Sequence, residues 1–245
     1  MSTVKSRRTA YRVAVRRPRI LLPKAGVASP TGRERLAVYT FVLLPWLIVY
    51  ESIVLLRTPT FGFVTLLPFE YHLPVIEWTE AFYFSTYIVT GLVPLFAKTG
   101  SDLRTFSMRG IGAMIVTFPV YLMIPLVSPF RPFTAHTFLG QLLTWERIPD
   151  SPALAFPSFH VIWAALAAEV FARRWPRLRW LCFCWAALVV ISCVTTGQHA
   201  ILDVLGGLAT AALVSPSPVL WCKAKKSAER VASSWKEWRI GSSRS

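Results

Sequence analysis

Residues 151–172, SPALAFPSFHVIWAALAAEVFA, place an ionisable histidine, His160, at the start of an apolar run. Residues 195–207, TTGQHAILDVLGG, repeat this arrangement, with His199 at the start of an apolar run and Asp203 four residues later. Long apolar runs, of about 20 residues, are typical of membrane-spanning helices. Each stretch therefore predicts a helix that enters a membrane with a histidine at its end.

The composition of the whole chain agrees with a membrane protein. Of the 245 residues, 54% are hydrophobic and only 16% are charged, and the mean hydropathy is +0.48. Soluble domains rarely combine so little charge with so much apolar sequence. We predict an all-α integral membrane protein, a six-transmembrane-helix bundle, in which the SPSP segment at 215–218 ends or kinks the last helix. The six apolar stretches run near 36–57, 75–97, 107–128, 158–174, 178–196 and 199–222.

The distribution of positive charge predicts the orientation of this bundle. The formal net charge is +15. If the N-terminus is cytoplasmic, all 27 lysines and arginines except Arg57, Arg131 and Arg147 fall in cytoplasmic segments. Cytoplasmic loops of membrane proteins are enriched in these residues. We therefore expect both termini in the cytoplasm, with a basic arm at 1–35, the membrane domain at 36–222 and a basic tail at 223–245.

The two basic ends carry no sign of a nucleic-acid partner. The arm lacks the short apolar core and small-residue cleavage site of a signal peptide, so we interpret it as a retained cytoplasmic arm. The tail combines lysine and arginine with Trp235 and Trp238. This mixture favours a short amphipathic helix on anionic membrane lipids, while a solvated charged tail is the alternative interpretation. The short, cysteine-poor chain suggests a bacterial inner membrane.

The predicted topology places three ionisable residues at the same membrane face. The third helix runs outward and is followed by Arg131, the fourth begins at the outer face with His160, and the sixth begins there with His199. Residues far apart in the sequence therefore converge at helix ends. We expect a functional site that faces the non-cytoplasmic side of the membrane.

The spacing of His199 and Asp203 favours a chemical role for this pair. Residues four apart share one face of a helix. A carboxylate within the bilayer costs about 2.5–3.5 kcal/mol on insertion scales, so it normally has a partner and a function. An aspartate that accepts the N–H of one ring nitrogen leaves the other nitrogen as a nucleophile or base. His72 and His136 are interpreted instead as interfacial polar residues, and the four cysteines as small apolar side chains.

The starts of the fourth and sixth helices predict an anion site. Ser158 is placed to cap the fourth helix, and the TGQH segment precedes the sixth. The free N–H groups and the dipole of a helix N-terminus favour phosphate. Arg131 could add a bidentate contact to phosphate oxygens.

These motifs resemble the type 2 phosphatidic acid phosphatase superfamily. That pattern has a lysine six residues before Arg-Pro, then Pro-Ser-x-His, then Ser-Arg, five residues, His, three residues and Asp. The resemblance covers residues 36–222. It implies that His199 attacks phosphorus to form a phosphohistidine, that Asp203 orients His199 and that His160 protonates the leaving group. It also implies that Arg131 and Ser158 hold the substrate phosphate.

Several positions depart from that pattern. Ile124 stands where the first lysine is expected, and Cys193 replaces the arginine of the third motif. Phe159 replaces the common glycine of Pro-Ser-Gly-His. The chain is more similar to the branch with inositol phosphorylceramide synthases, many of which carry a lysine where Gly197 stands here. Phosphate binding would then depend on helix termini, on Arg147 or on a pocket that the sequence does not reveal.

Three functions remain open from the sequence. The first is a lipid phosphatase, in which water attacks the phosphohistidine, and the second is a lipid phosphotransferase, in which an alcohol attacks. The third is a non-catalytic membrane protein with a structural polar cluster. We expect no cofactor and no bound metal, a lipid phosphate substrate and membrane lipids as partners. Prenyl diphosphates, phosphatidate and phosphosphingolipids all fit, and the sequence does not give the oligomeric state.

Overall fold

The computed structural model describes residues 26, 28–56, 62–227 and 229, and these residues are mostly helical. Most of the predicted basic arm, Arg57 and the tail tryptophans, Trp235 and Trp238, lie outside the described residues. The helices are α1 (Gly32–Val38), α2 (Leu44–Leu56), α3 (Glu80–Phe96), α4 (Gly100–Met123), α5 (Phe138–Glu146), α6 (Phe159–Arg174), α7 (Arg179–Thr195) and α8 (Ile201–Leu213).

The first membrane helix is continuous from α1 to α2 through a π-helical segment, Tyr39–Leu43. It begins earlier than predicted because Thr31 and Glu34 form a capping box, in which each side chain accepts a hydrogen bond from the backbone of the other residue. The same device starts α4 at Gly100 instead of 107, with Thr99 and Asp102 as partners. Local capping thus sets both boundaries, which the apolar pattern alone placed too late.

In the part of the chain that the structure describes, four helices are long and apolar enough to cross a membrane: Gly32–Leu56, Gly100–Met123, Pro176–Thr195 and Ile201–Ser227. The predicted helices at 75–97 and 158–174 are present as α3 and α6, but they have only 17 and 16 residues. The last helix is interrupted by a turn at 214–216 and is helical again over 217–227, as the SPSP segment predicted. A short helix that was not predicted, α5, lies between α4 and α6.

Helix α6 is the central element of the bundle, in contact with α3, α4, α7 and α8. Most of its side chains are buried, including Trp163, which is 2% exposed. Glycines allow close approach at two crossings. A Cβ on Gly207 of α8 would lie 2.8 Å from the backbone oxygen of Ser158, and one on Gly110 of α4 would lie 2.7 Å from the Trp163 ring. Gly207 therefore allows the middle of α8 to approach the start of α6 closely.

Ion pairs join α4 and α6 at the end of α6 opposite to His160. Glu169, for which the sequence gave no partner, lies 2.5 Å from Arg109 and 3.3 Å from Arg173. Arg173 also pairs with Asp102 at 3.3 Å. A minimal parallel β-pair, β1 (Phe63–Val64) with β2 (Leu126–Val127), joins the segments that follow α2 and α4. The ion pairs thus hold α6 against α4 at one end, and the β-pair links two segments outside the helices.

Candidate active site

His199 lies in the turn between α7 and α8, two residues before α8 begins, and not on the helix as predicted. The turn requires Gly197, whose φ of 70° lies in the left-handed region that favours glycine. The backbone N–H of His199 donates to the carbonyl of Cys193 at 3.0 Å. The ring is held in a buried position, with 8% of the residue exposed.

The two nitrogens of the His199 ring face different partners. Nδ1 is 3.7 Å from Oδ2 of Asp203, and Nε2 is 3.2 Å from Oγ of Ser158 and 3.4 Å from the hydroxyl of Tyr83. Asp203 is fully buried, and its Oδ2 accepts the backbone N–H of Ala200 at 2.7 Å. Neither Nδ1 of His199 nor Oδ1 of Asp203 has a hydrogen-bond partner. These two groups are complementary, since a proton on Nδ1 would leave Nε2 free to act as a nucleophile.

His160 lies in the first turn of α6, with its ring beside that of His199. The two ring centroids are 5.6 Å apart. The His160 ring stacks on Tyr83 at 3.9 Å and meets the edge of Tyr87 at 5.0 Å. Its Nε2 atom has no hydrogen-bond partner. The structure therefore brings the predicted His160, His199 and Asp203 together, and it holds His160 by its ring faces, which leaves the nitrogen free.

Ser158 is the residue before α6, as predicted, but its side chain does not cap the helix. Its Oγ faces His199 instead, and lies 3.9 Å from Sγ of Cys193. The backbone N–H of Ser158 donates to the carbonyl of Asp203 at 3.0 Å, which fixes the two motifs against each other. Ser158 is thus available to a group bound at Nε2 of His199.

Arg131 is buried, at 4% exposed, and bonds to the backbone. Its guanidinium donates to the carbonyl of Leu73 at 2.8 Å, to that of Glu70 at 3.4 Å and, in a very short contact, to that of Val194. Burial lowers the pKa of Arg131. This arginine therefore holds the segment after β1 against the end of α7, close to the turn that carries His199.

Arg147, at the end of α5, is a second cation at the same turn. Its guanidinium donates to the carbonyl of Arg131 at 2.8 Å and to that of Thr196 at 2.7 Å, and lies 4.8 Å from the centroid of the Phe133 ring. A Cβ on Gly197 would lie 3.1 Å from Nη2 of Arg147. Burial lowers its pKa to about 10, so the group stays charged at neutral pH. Its Nε atom is buried without a hydrogen-bond partner.

The helix N-termini differ from the predicted anion site. The backbone N–H of Ile201, at the start of α8, donates to Oε1 of Glu70 at 2.8 Å. The N–H of Ala200 is taken by Asp203 and by Oγ of Ser128. At the start of α8, where phosphate was predicted to bind, the structure has the carboxylate of the buried Glu70. The start of α6 has no side-chain cap.

A polar face of α3 that the sequence reasoning overlooked completes the cluster. Tyr83 and Tyr87 contact His160, and Glu80 is fully buried one turn before Tyr83. The signal was present in the sequence as polar residues at helical spacing within an apolar run, namely Glu80, Tyr83, Thr86, Tyr87 and Thr90. Because tyrosine and threonine are common in membrane helices, this pattern did not stand out from composition alone.

Two acidic residues near α5 also belong to the surroundings of the site. Glu146 lies beside Glu80, and Asp150 accepts a hydrogen bond from the hydroxyl of Tyr50 at 2.8 Å. Burial raises the pKa of both Glu146 and Asp150. A raised pKa favours the protonated form and so reduces the negative charge close to His199.

Of the other candidate residues, Cys193 lies within the cluster, with its Sγ 3.9 Å from Oγ of Ser158. His72 and His136 are exposed, and all four cysteines are unpaired. Within residues 26, 28–56, 62–227 and 229, no group of three or more histidine, cysteine, aspartate or glutamate side chains is arranged to hold a metal ion.

A comparison with known protein families shows to which family the chain belongs. Residues 48–216, more than half of the chain, match the model of the PAP2 superfamily, the type 2 phosphatidic acid phosphatases. The chain belongs to the PAP2 superfamily. PAP2 proteins comprise phosphatases and related phosphotransferases that act on lipid phosphates, which agrees with the apolar helices found here. No curated protein and no solved structure matches the chain.

Proposed function

We propose that this protein is a membrane lipid phosphatase that works through a phosphohistidine on His199. The observation that supports the proposal best is that the two nitrogens of the His199 ring face different partners. Asp203 lies behind Nδ1, and Ser158 and Tyr83 lie in front of Nε2. This is the arrangement that a nucleophilic histidine needs, with a carboxylate to set the tautomer and hydroxyls where the phosphate oxygens would bind.

In the first half-reaction, Nε2 of His199 attacks phosphorus and the bond from phosphorus to the lipid oxygen breaks. His160 supplies the proton to the leaving oxygen, since its ring lies 5.6 Å from that of His199 and its Nε2 is free. In the second half-reaction, His160 takes a proton from water, the water oxygen attacks phosphorus, and the P–N bond breaks. Phosphate leaves and His199 returns to its neutral form.

The phosphate would be bound by Ser158 and by the arginines at the His199 turn. The guanidinium of Arg131 donates its hydrogen bonds to backbone carbonyls, so Arg131 would contribute to phosphate binding mainly through its charge. Arg147 keeps one free N–H beside the same turn. The proposed reaction uses no cofactor and no metal.

A lipid phosphotransferase, as in the inositol phosphorylceramide synthase branch, is the second candidate. Both histidines line a cavity with mostly apolar walls, which favours access by a lipid alcohol over access by bulk water. In that case the acceptor hydroxyl replaces water in the second half-reaction, and His160 takes its proton. The first half-reaction is unchanged, so the same residues serve both outcomes.

The two activities can be separated with purified protein in detergent. We would measure phosphate release from phosphatidate, a prenyl diphosphate and a phosphosphingolipid, each with and without added lipid alcohols. A phosphatase releases free phosphate without an acceptor, whereas a phosphotransferase forms a phosphorylated acceptor. No turnover of any substrate, with His160 and His199 variants indistinguishable from wild type, would favour the non-catalytic alternative.

The proposal includes six membrane spans, cytoplasmic termini and a site on the non-cytoplasmic side of a bacterial inner membrane. The positive-inside distribution of lysine and arginine supports this orientation. A cysteine at Thr134, which is exposed, should react with an impermeant thiol reagent added to intact cells, and one at Pro176 should not. The reverse labelling pattern would contradict the orientation.

A further inference from the structure

A long slot runs from the histidine pair between the first membrane helix, α3 and α6. Its volume is about 520 Å³, within the range of sites for small ligands. His160 and His199 line it, and much of its wall is aromatic, including Trp46, Tyr50 and Trp163. The slot therefore joins the groups that would handle phosphate to a space suited to apolar groups.

The depth of the slot matches the length of a lipid chain within one leaflet. On the first helix its lining residues extend from Tyr39 to Glu51, which corresponds to roughly 18 Å along the helix. The hydrocarbon core of a bilayer is about 30 Å thick, so one leaflet accounts for about half of that. An extended chain that starts at the histidines could thus remain in the slot over most of its length.

The rim of the slot reaches the apolar outer surface of the bundle. Three apolar or aromatic residues that line it are also partly exposed at the surface of the bundle: Leu44 at 49%, Leu47 at 44% and Tyr87 at 41%. A side opening with such a rim admits a molecule that is already in the bilayer. A water-soluble ligand would not be expected to enter by that route.

We propose that this slot binds one apolar chain of the phosphate-bearing substrate, extended along the first helix with its phosphate at His199. The inference rests on the proposed function, and it names the substrate class as lipid phosphates that present a single extended chain to the site. The slot selects for chain length, because each methylene that reaches it makes closer van der Waals contacts than it has in the bilayer, and these contacts stabilise the bound substrate.

Gly91 gives a direct way to block the slot. It lines the slot, and a Cβ added there meets no atom within 4 Å, so a larger side chain can be accommodated without displacing the fold. Its carbonyl accepts a hydrogen bond from Tyr39 at 2.6 Å, which a change of side chain leaves in place. Gly91→Phe should therefore fill the space and keep the backbone.

Ile88→Phe is the matched control, because Ile88 lies on the same helix but is 54% exposed and is not part of the slot. Both variants and wild type would be assayed with p-nitrophenyl phosphate and with a series of lipid phosphates of increasing chain length. We expect kcat/KM of wild type to rise with chain length and to level off once the chain end reaches the segment Tyr39–Leu43. With the long-chain substrates, kcat/KM of Gly91→Phe should be at least tenfold lower than that of wild type. Its turnover of p-nitrophenyl phosphate should be unchanged. Ile88→Phe should behave as wild type.

An unchanged chain-length profile in Gly91→Phe would overturn the slot proposal. Absence of turnover of every phosphate ester by wild type would instead refute the proposed function, and the slot would then be tested by binding. A lipid phosphate with a photoreactive diazirine at its chain end should label the segment Tyr39–Leu43, and Gly91→Phe should abolish that label. Labelling confined to lipid-facing positions such as Leu188 would overturn the proposal.

Discussion

The hydroxyl of Tyr83 lies 3.4 Å from Nε2 of His199, and the same tyrosine ring stacks on His160. One side chain of α3 thus contacts both histidines, one through its oxygen and the other through its ring face. Tyr83 is fully buried, so these contacts are sheltered from water. A substitution that removes the hydroxyl and keeps the ring can therefore distinguish the contact with His199 from the contact with His160.

Tyr83→Phe should keep the ring that supports His160 and remove the hydroxyl near His199. The loss of one hydrogen bond is typically worth about 1 kcal/mol, so we expect kcat to fall by up to about tenfold with little change in thermal stability. Tyr83→Leu, which also removes the aromatic face, should have the larger effect on turnover. Equal activities of the two variants would show that the stacking on His160 is not needed.

Asp203→Asn should retain the fold and slow phosphoryl transfer. Asparagine is neutral, so it no longer stabilises a proton on Nδ1 of His199 through its charge, and its NH2 group can donate to Nδ1 and favour the other tautomer. When a histidine settles in the wrong tautomer, turnover falls by roughly 10⁴-fold. We expect that loss in kcat with nearly unchanged binding of orthovanadate, measured as inhibition or by calorimetry. A variant with wild-type kcat would remove Asp203 from the mechanism.

Arg147→Gln should weaken substrate binding through loss of the cation at the His199 turn. Hydrogen bonds to charged groups contribute about 1.5–3 kcal/mol, which corresponds to an increase in KM of roughly 10- to 150-fold. Arg177→Gln, at an exposed position, is the control and should leave KM unchanged. If Arg147→Gln lowers thermal stability and leaves KM unchanged, the role of Arg147 is confined to its bonds with Arg131 and Thr196.

The sequence predicted the central part of the site more fully than its surroundings. His160, His199 and Asp203 were found because an ionisable residue in an apolar run is costly and therefore conspicuous. Tyr83 was overlooked because a tyrosine in a membrane helix costs little and so carries a weak signal. The occupant of the α8 N-terminus could not be predicted, since Glu70 reaches it from a segment more than 100 residues earlier in the chain.

The ends of the helices were also predicted only in part from the sequence. α6 and α7 begin and end within one residue of their predicted positions because proline, charged residues or, at the end of α7, Gly197 flank their apolar runs. α4 starts seven residues early because the capping box of Thr99 and Asp102 allows polar residues into its first turns. α5 was missed because 9 residues are too short for a periodic pattern to stand out from a loop.

His160→Ala should affect substrates according to their leaving groups. p-Nitrophenolate leaves without much protonation, whereas a lipid alkoxide requires an acid. General acid catalysis typically contributes roughly 10²- to 10⁴-fold, so the variant should lose about that factor more on a lipid phosphate than on p-nitrophenyl phosphate. The ratio of the two kcat/KM values is the measurement. The same loss on both substrates would assign His160 to binding and not to proton transfer.

The most direct test is the location of covalent phosphate on the protein. Wild type and His160→Ala would be mixed with labelled p-nitrophenyl phosphate, quenched in alkali and examined for acid-labile, base-stable phosphate. Both should carry the label on the peptide that contains His199, and His199→Ala should carry none, because Nε2 of His199 is the proposed attacking atom. Label that persists on His199→Ala would contradict the assignment of His199 as the nucleophile.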